Sequence, residues 1–258
     1  MAYTTINDPT IYFNTKLYTG NNTGQSITGV GFQPDWVWIK SRTDTNSHNS
    51  WDSVRRVNKY LENDTTKIET TVTNGVTAFG TDGFTVGDRD AINDNGLSLV
   101  SWNWKAGTSF TNDASATGIG TIDSSGSVSD ASGFSICSFT GTGSNGTIKH
   151  GLSTAPRVII FKQRNGTGYW LTYHAAIGAG TILVLDTNAV KSDSSVWFQS
   201  TDPTSSVFSV GTSSNNNGSS NTYIAYCFAE KKGYSKFGSY KGKGNADGPF
   251  VYTGFKPA

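Results

Sequence analysis

The sequence predicts an all-β protein made of tandem antiparallel β-sandwich units, jelly-roll-like in character, with internal repeats. Two observations carry this prediction: the chain aligns with itself at a nearly constant offset, and its apolar residues fall in short runs rich in β-branched and aromatic types. The composition agrees. The 258 residues include 30 glycines and 12% aromatics but only 15% charged residues. The abundant Ser, Thr, Asn and Gly favour turns and solvated strand faces over helices.

The repeat sets the order of the elements along the chain. Residues 18–40 recur at 139–162, with the same sequence of an aromatic-Thr-Gly turn, a glycine-containing loop, a proline and a β-branched run that ends in lysine. Residues 83–87 match 207–211, and residues 99–104 match 223–228. A third copy begins at Tyr240 and breaks off before its central strand. We expect this last segment either to complete an earlier sheet or to pack on another protomer.

These matches predict the domain organisation. The first β-sandwich unit spans residues 1–107 and the second spans residues 133–232. Residues 108–132 are nearly all Gly, Ser, Thr, Asp and Ala, which predicts a linker or a weakly specified hairpin. Residues 233–258 start the third copy and form a C-terminal hairpin or cap.

The local patterns predict strands within each unit. Residues 36–40 and 157–162 are aromatic and β-branched runs that follow a proline, as a central strand would. Trp102 and Trp104 alternate with a polar residue, and large rings on one strand face would fill a sandwich core. Residues 51–61 have helical spacing of their apolar positions, but their counterpart in the second copy resembles two strands. We therefore predict strands there as well.

Charge and composition exclude several classes of partner. The formal net charge is +1, so no global field attracts nucleic acid, and the lysines between 231 and 243 are interpreted as a solvated loop and a guarded edge strand. No run approaches the roughly 18 apolar residues of a membrane span, and the N-terminus lacks a signal-peptide pattern. We expect synthesis in a cytoplasm. Cys137 and Cys227 lie in apolar runs, which predicts buried free thiols.

No pattern in the sequence indicates catalysis, so we expect no catalytic residue, no enzyme activity and no cofactor. The three histidines lack metal-ligand spacing to one another or to a cysteine. The loop with Asp88, Asp90 and Asp94 has the oxygen ligands that calcium needs, but it departs from the ordered calcium-loop pattern. A polar hairpin tip is the favoured interpretation, with calcium as the alternative.

Aromatic rings beside polar loops suggest one class of ligand. A flat ring packs on a sugar face while amides and hydroxyls bond its hydroxyl groups. Four aromatic residues close to polar loops are candidate ligand contacts: Trp51, Tyr169, Trp170 and Trp197. The alternative for each is a place in the core.

The repeat motifs resemble a known group of proteins. Residues 16–21, 31–40, 223–230 and 233–240 are similar to repeats in virion proteins of marine bacteriophages, described as tail-fibre-like or structural. The resemblance covers nearly the whole chain from Ile11 onward. It implies a location in the virion and carries over no catalytic residue.

The resemblance, together with the loops, leads to a functional expectation. We expect a bacteriophage tail fibre or appendage whose loops contact a host surface glycan or protein, because rigid scaffolds place binding residues on loops. A capsid decoration protein is the alternative, and a glycan depolymerase is the third. Expected partners are other virion proteins and further copies of the chain, as a homo-oligomer of which a trimer is one candidate. The candidate anchors of that oligomer are Tyr240, Phe250, Tyr252 and Phe255.

Overall fold

A computed structural model describes residues 4–191 and 195–256 of the chain. The first half opens with a 3-10 helix at Pro9–Ile11, for which the Asp8 side chain caps the N-terminus by accepting from Thr10 N–H. The strands and the helix that follow are β1 (Phe13–Thr19), β2 (Gln25–Ile27), β3 (Trp36–Ser41), β4 (Asn49–Asp52), β5 (Lys59–Glu62), β6 (Thr70–Thr71), β7 (Val76–Gly80), β8 (Gly83–Val86), α1 (Asp90–Asn93) and β9 (Ser98–Trp104).

The second half has the same kind of elements after an added hairpin. They are β10 (Thr108–Asn112), α2 (Ala114–Thr117), β11 (Ser124–Ser129), β12 (Phe134–Thr140), β13 (Gly146–Lys149), β14 (Val158–Gln163), β15 (Leu171–His174), β16 (Ile182–Val184), β17 (Val190–Lys191), β18 (Val207–Val210), α3 (Ser214–Asn217) and β19 (Thr222–Phe228). The strands predicted at residues 36–40 and 157–162 are confirmed as β3 and β14. Strands β4 and β5 occupy the segment with helical spacing, so the interpretation as strands is confirmed there too.

Two large antiparallel sheets organise the described chain, and they share one strand order. The first runs β1-β9-β3-β4-β5-β6, and the second runs β10-β11-β12-β19-β14-β15-β16-β17. From β12 onward the second order repeats the first, with β12 in the place of β1 and β19 in the place of β9. The protein is therefore all-β and antiparallel, as expected.

A small sheet packs on one face of each large sheet. In the first half this is β2-β8-β7, and in the second it is β13-β18. The hydrophobic cluster between the two sheets is here called the inner core of that half. The first inner core contains Trp51, Phe84 and Leu99. The second contains Phe161, Phe208 and Tyr223. Both cysteines are buried free thiols, as predicted, and burial raises the pKa of the Cys137 thiol to about 12.

The two large sheets pack against each other through a third buried layer, here called the seam. It contains Trp36, Leu61 and Ala106 of the first half and five residues of the second: Phe134, Ile136, Trp170, Ile224 and Tyr226. The Trp36 ring stacks on Tyr226 with centroids 4.0 Å apart and an interplanar angle of 13°. Trp104 also faces the seam, stacked on Trp36 at 4.5 Å. Trp104, one of the two alternating tryptophans of β9, therefore serves the packing between the two halves, whereas we had expected it inside one unit.

An ion-pair network crosses the seam beside these rings. Arg55 pairs with Asp52, and both side chains are fully buried. The Tyr226 hydroxyl donates to Asp52 at 2.7 Å and lies 3.2 Å from the Arg55 guanidinium. Arg164 of the second half binds Glu69 of the first through two nitrogens at 2.8 and 3.0 Å. Buried charges need such partners, because an unpaired one carries a large desolvation cost.

Residues 108–132 do not form a linker. Strands β10 and β11 pair with each other in antiparallel register, and β11 pairs with β12, so the segment extends the second large sheet as a hairpin. Within it, Asp113 caps α2 by accepting from Ala116 N–H, and Gly118 ends the helix in the left-handed conformation with φ of 67°. Among the described residues this hairpin has no counterpart beside β1, which is an edge strand of the first sheet.

Candidate functional site

Two of the tryptophans expected to contact a ligand lie in the interior. Trp51 is fully buried, and its ring stacks on Tyr60 at a centroid distance of 5.4 Å. Trp170 is fully buried in the seam, where its indole N–H donates to the Glu62 carbonyl oxygen at 2.8 Å. Neither ring exposes a face to solvent. The structure therefore corrects the expectation that Trp51 and Trp170 stack on a sugar, because both rings fill core space instead.

The other two aromatic candidates lie nearer the surface. Tyr169 is 38% exposed, and its backbone N–H donates to the Asn215 side chain at 3.2 Å. Trp197 is half-buried and packs against the second inner core. Their role as ligand contacts remains a prediction, and the ring of Tyr169 is the more open of the two.

The three aspartates of the candidate calcium loop each make a different contact. Asp88 accepts from the Asn74 side chain at 3.0 Å, Asp90 starts α1, and Asp94 accepts from the N–H of its neighbour Asn95 at 2.8 Å. Within the part of the chain that the structure describes, no three His, Cys, Asp or Glu side chains converge as a metal site. The loop is organised by hydrogen bonds within itself and by one from the Asn74 side chain.

A buried asparagine in this loop, missed by the sequence reasoning, holds several backbone segments together. The side-chain amide of Asn93 donates to the carbonyl oxygens of Thr23 and Gly87, and its oxygen accepts from the N–H of Asn21. In the second half Asn217 has the same role: its amide donates to the Ser144 and Gly211 carbonyls at 2.6 Å each, and its oxygen accepts from Thr142 N–H at 3.0 Å. Each residue ends a four-residue helix.

An open cleft of about 670 Å³ lies beside β12. Its walls come from the ends of β10, β11 and β12, from the start of α2, and from neighbouring loops. We call it the polar cleft, because most of its lining side chains carry hydroxyl, amide or charged groups. Those that matter here are Thr111, Asp113, Asp123, Ser138, Thr140 and Arg164.

Hydrogen bonds hold the charged groups of the polar cleft in place. Asp113 accepts from Ser115 Oγ–H at 2.7 Å and from Ala116 N–H at 3.0 Å, and these bonds hold the pKa of its carboxyl below the usual range. Asp123 accepts from Ala114 N–H at 2.8 Å. The Arg164 side chain, engaged by Glu69, is 22% exposed. The cleft therefore offers fixed carboxylate acceptors and a partly open guanidinium.

A second cavity is apolar and opens at the edge of the seam. This apolar pocket has a volume of about 370 Å³ and lies between the ends of the two large sheets. Its walls are Phe13, Trp104, Phe134, Val158, Ile160 and Phe228, and Tyr234 and Phe237 border it from the C-terminal side.

The chain continues from this pocket as a segment without helix or strand. We call residues 238–256 the C-terminal arm. Large apolar side chains along it are solvent-exposed: Tyr240 is 72%, Phe250 is 89% and Tyr252 is 69% exposed. Phe255, the fourth predicted anchor, is half-buried. The expected third-copy hairpin is not formed, because the arm has no strand partner in the described chain.

One comparison with known proteins assigns a family. A family described as a domain of unknown function, DUF7483, matches residues 8–258. The chain belongs to the DUF7483 family. This match covers both large sheets and the arm, so the features described above fall within the DUF7483 region. No curated protein and no solved structure matches the chain. In the described part of this DUF7483 protein, no helix is long and apolar enough to cross a bilayer.

Proposed function

We propose that the chain is a bacteriophage virion protein that contacts a host-surface glycan through the polar cleft. The virion location is supported by the resemblance of residues 16–21, 31–40, 223–230 and 233–240 to repeats of phage structural proteins. The cleft is the observation on which the glycan part rests. It is a concave, hydroxyl-rich surface with two carboxylates at the ends of sheet strands, and such surfaces suit a ligand that both donates and accepts many hydrogen bonds.

The chemistry of the cleft favours a polyhydroxyl ligand over other classes. Asp113 and Asp123 offer carboxylate oxygens that accept from sugar hydroxyls, and charged acceptors make stronger hydrogen bonds than neutral ones. Ser138 and Thr140 both donate and accept. The net charge of +1 gives no field that favours a strongly charged polymer. Ser138 and Thr140 lie on β12, and hydrogen bonds hold Asp113 and Asp123 in place, so little ordering is needed on binding.

Two rival functions use other parts of the same structure. The exposed aromatic side chains of the C-terminal arm favour a capsid decoration protein, which would use such an arm as an anchor on neighbouring subunits. A depolymerase would use the two cleft carboxylates as acid and base. However, a general acid needs a raised pKa, and hydrogen bonds lower the pKa of Asp113. The glycan-binding function therefore fits the cleft better than hydrolysis does.

A binding experiment distinguishes the three functions. The purified, fluorescently labelled protein is offered to host cells, to phage heads that lack it, and to purified host polysaccharide. We expect saturable binding to cells that competes with phage adsorption and with free polysaccharide. Binding to heads with none to cells would assign the chain to the capsid, and release of oligosaccharide would establish an enzyme.

A further inference from the structure

The C-terminal arm and the apolar pocket are complementary, and this complementarity concerns assembly rather than the proposed glycan binding. We propose that the arm of one chain docks its aromatic side chains in the apolar pocket of a second copy. The ligand is thus another molecule of the same protein. The surface consists of Tyr240, Phe250 and Tyr252 on one chain and the pocket around Ile160 and Phe228 on the other.

The arm presents its aromatic side chains away from its own body. Its base is fixed at Phe237, which borders the pocket and lies 6.1 Å from the Phe228 ring. Lys236 then contacts the far end of the arm: its ammonium donates to the Tyr252 carbonyl at 3.3 Å and lies 5.7 Å from the Tyr252 ring centroid. The arm is thus a loop closed at its base, and Phe250 is 89% exposed on it. Contiguous exposed apolar side chains of this kind mark interaction surfaces.

The apolar pocket has room for such side chains. Its volume is about 370 Å³, and a cavity of roughly 150 Å³ lined by apolar side chains is enough to bind benzene. One or two phenyl rings therefore fit. The surrounding rings of Phe134 and Phe228, with centroids 5.0 Å apart, give an incoming ring the aromatic neighbours that stabilise such pairs. Tyr234 borders the pocket, and its ring centroid lies 6.3 Å from that of Tyr12.

The net charges of the arm and of the rest of the chain indicate which partner the arm fits. The arm, residues 238–256, contains three lysines and one aspartate, whereas residues 1–237 contain seventeen Lys or Arg and eighteen Asp or Glu. Two arms therefore repel each other, and an arm is attracted to the body of another copy. The contact is thus arm on body, and it closes as a dimer or a ring when every chain gives one arm and receives one.

The first test measures association by sedimentation over a range of concentrations. We expect the wild-type chain to form a dimer or closed ring, and the double variant F250A/Y252A to associate about tenfold or more weakly, since aromatic anchors dominate interface energy. The matched control L17A/I68A removes two exposed apolar side chains elsewhere, with exposures of 62% and 46%, and should associate like the wild type. Raising NaCl from about 50 to about 500 mM should weaken the wild-type oligomer. A monomeric wild type, or equal losses in both variants, would overturn the proposal.

A cysteine pair shows whether the docked arm comes from a second copy. The single variants F250C and I160C are purified separately, mixed and oxidised; the native Cys137 and Cys227 are buried and stay unreactive. We expect a covalent dimer that forms in the mixture faster than in either variant alone. Rapid dimerisation of F250C alone would indicate arm-on-arm contact. An intrachain disulfide in the double variant I160C/F250C, with no covalent dimer in the mixture, would show that each arm fills its own pocket. Either result contradicts the proposal.

Discussion

Replacing Arg55 by methionine tests the seam as the structure that unites the two halves. Although burial opposes its charge, the carboxylates of Asp52 and Glu69 hold the pKa of Arg55 above the usual range. Asp52 is fully buried with Arg55 as its cationic partner, whereas Glu69 keeps a second partner in Arg164. The substitution therefore leaves mainly Asp52 as an uncompensated buried carboxylate.

The expected loss follows from that stranded charge. Removing one partner of a buried ion pair costs roughly 3–5 kcal/mol, and the Tyr226 hydroxyl that still donates to Asp52 places the value at the lower end of this range. We expect urea denaturation of R55M to show a lower midpoint with an unchanged slope. The double variant D52N/R55M should recover part of the loss, because the amide of asparagine carries no charge.

The neighbouring arginine provides a matched control. Arg56 is exposed, so R56M makes the same chemical change without a buried partner and should alter the free energy of unfolding by less than about 0.5 kcal/mol. Equal losses for R55M and R56M would refute the assignment of a buried network. So would the absence of recovery in D52N/R55M. Two separate unfolding transitions in the wild type would show that the halves are not coupled through the seam.

Three further substitutions test other parts of the fold, each by urea denaturation. Trp36→Ala removes the ring that stacks on Tyr226 and should cost roughly 3–5 kcal/mol; a loss below about 1 kcal/mol would contradict tight packing in the seam. Asn217→Ala leaves the Ser144 and Gly211 carbonyls without their donor and should cost about 1–3 kcal/mol, while Ala at the exposed Asn145 should be nearly neutral. Burial lowers the pKa of His150 to about 4, so its protonation is disfavoured in the folded state. Stability should therefore fall by roughly 3 kcal/mol as the pH drops from about 6.5 to about 4, and the same pH dependence in His150→Gln would exclude this residue as the cause.

The sequence predicts the strands well because the repeat constrains them twice. A segment such as residues 51–61 is ambiguous by spacing alone, yet its aligned counterpart indicates strands, and β4 and β5 are strands. A hairpin at residues 108–132 was one of two alternatives. Its Ser- and Gly-rich strands bury few large side chains, so composition could not distinguish it from a linker.

The seam could not be predicted, because a repeat shows which residues correspond and not which faces meet. Trp36 and Trp104 have the pattern of ordinary core residues, and their partner Tyr226 lies 122 or more residues away along the chain. Trp51 and Trp170 were misassigned for a related reason: a tryptophan near a polar loop has the same local pattern whether its ring faces solvent or the core.

Part of the missed information was present in the repeat. Asn93 and Asn217 are separated by 124 residues, the same offset as Phe84 and Phe208, so the alignment pairs the two asparagines that tie the loops. Polar cleft residues had no such indication. Asp113 and Asp123 lie in the hairpin that the first half lacks, and only the packing of β10 and β11 beside β12 brings them to one surface.

The most direct test of ligand binding at the polar cleft uses two threonines at equivalent places in the two sheets. Thr140 ends β12 and lines the cleft, and Thr19 ends β1 outside it; both are exposed. The variants T140W and T19W, each confirmed as folded by its unfolding midpoint, are titrated with purified host polysaccharide and with labelled host cells. The account predicts that T140W loses binding by about tenfold or more, because an indole fills the cleft, while T19W binds like the wild type. Equal binding by both variants would contradict the polar cleft as the ligand site.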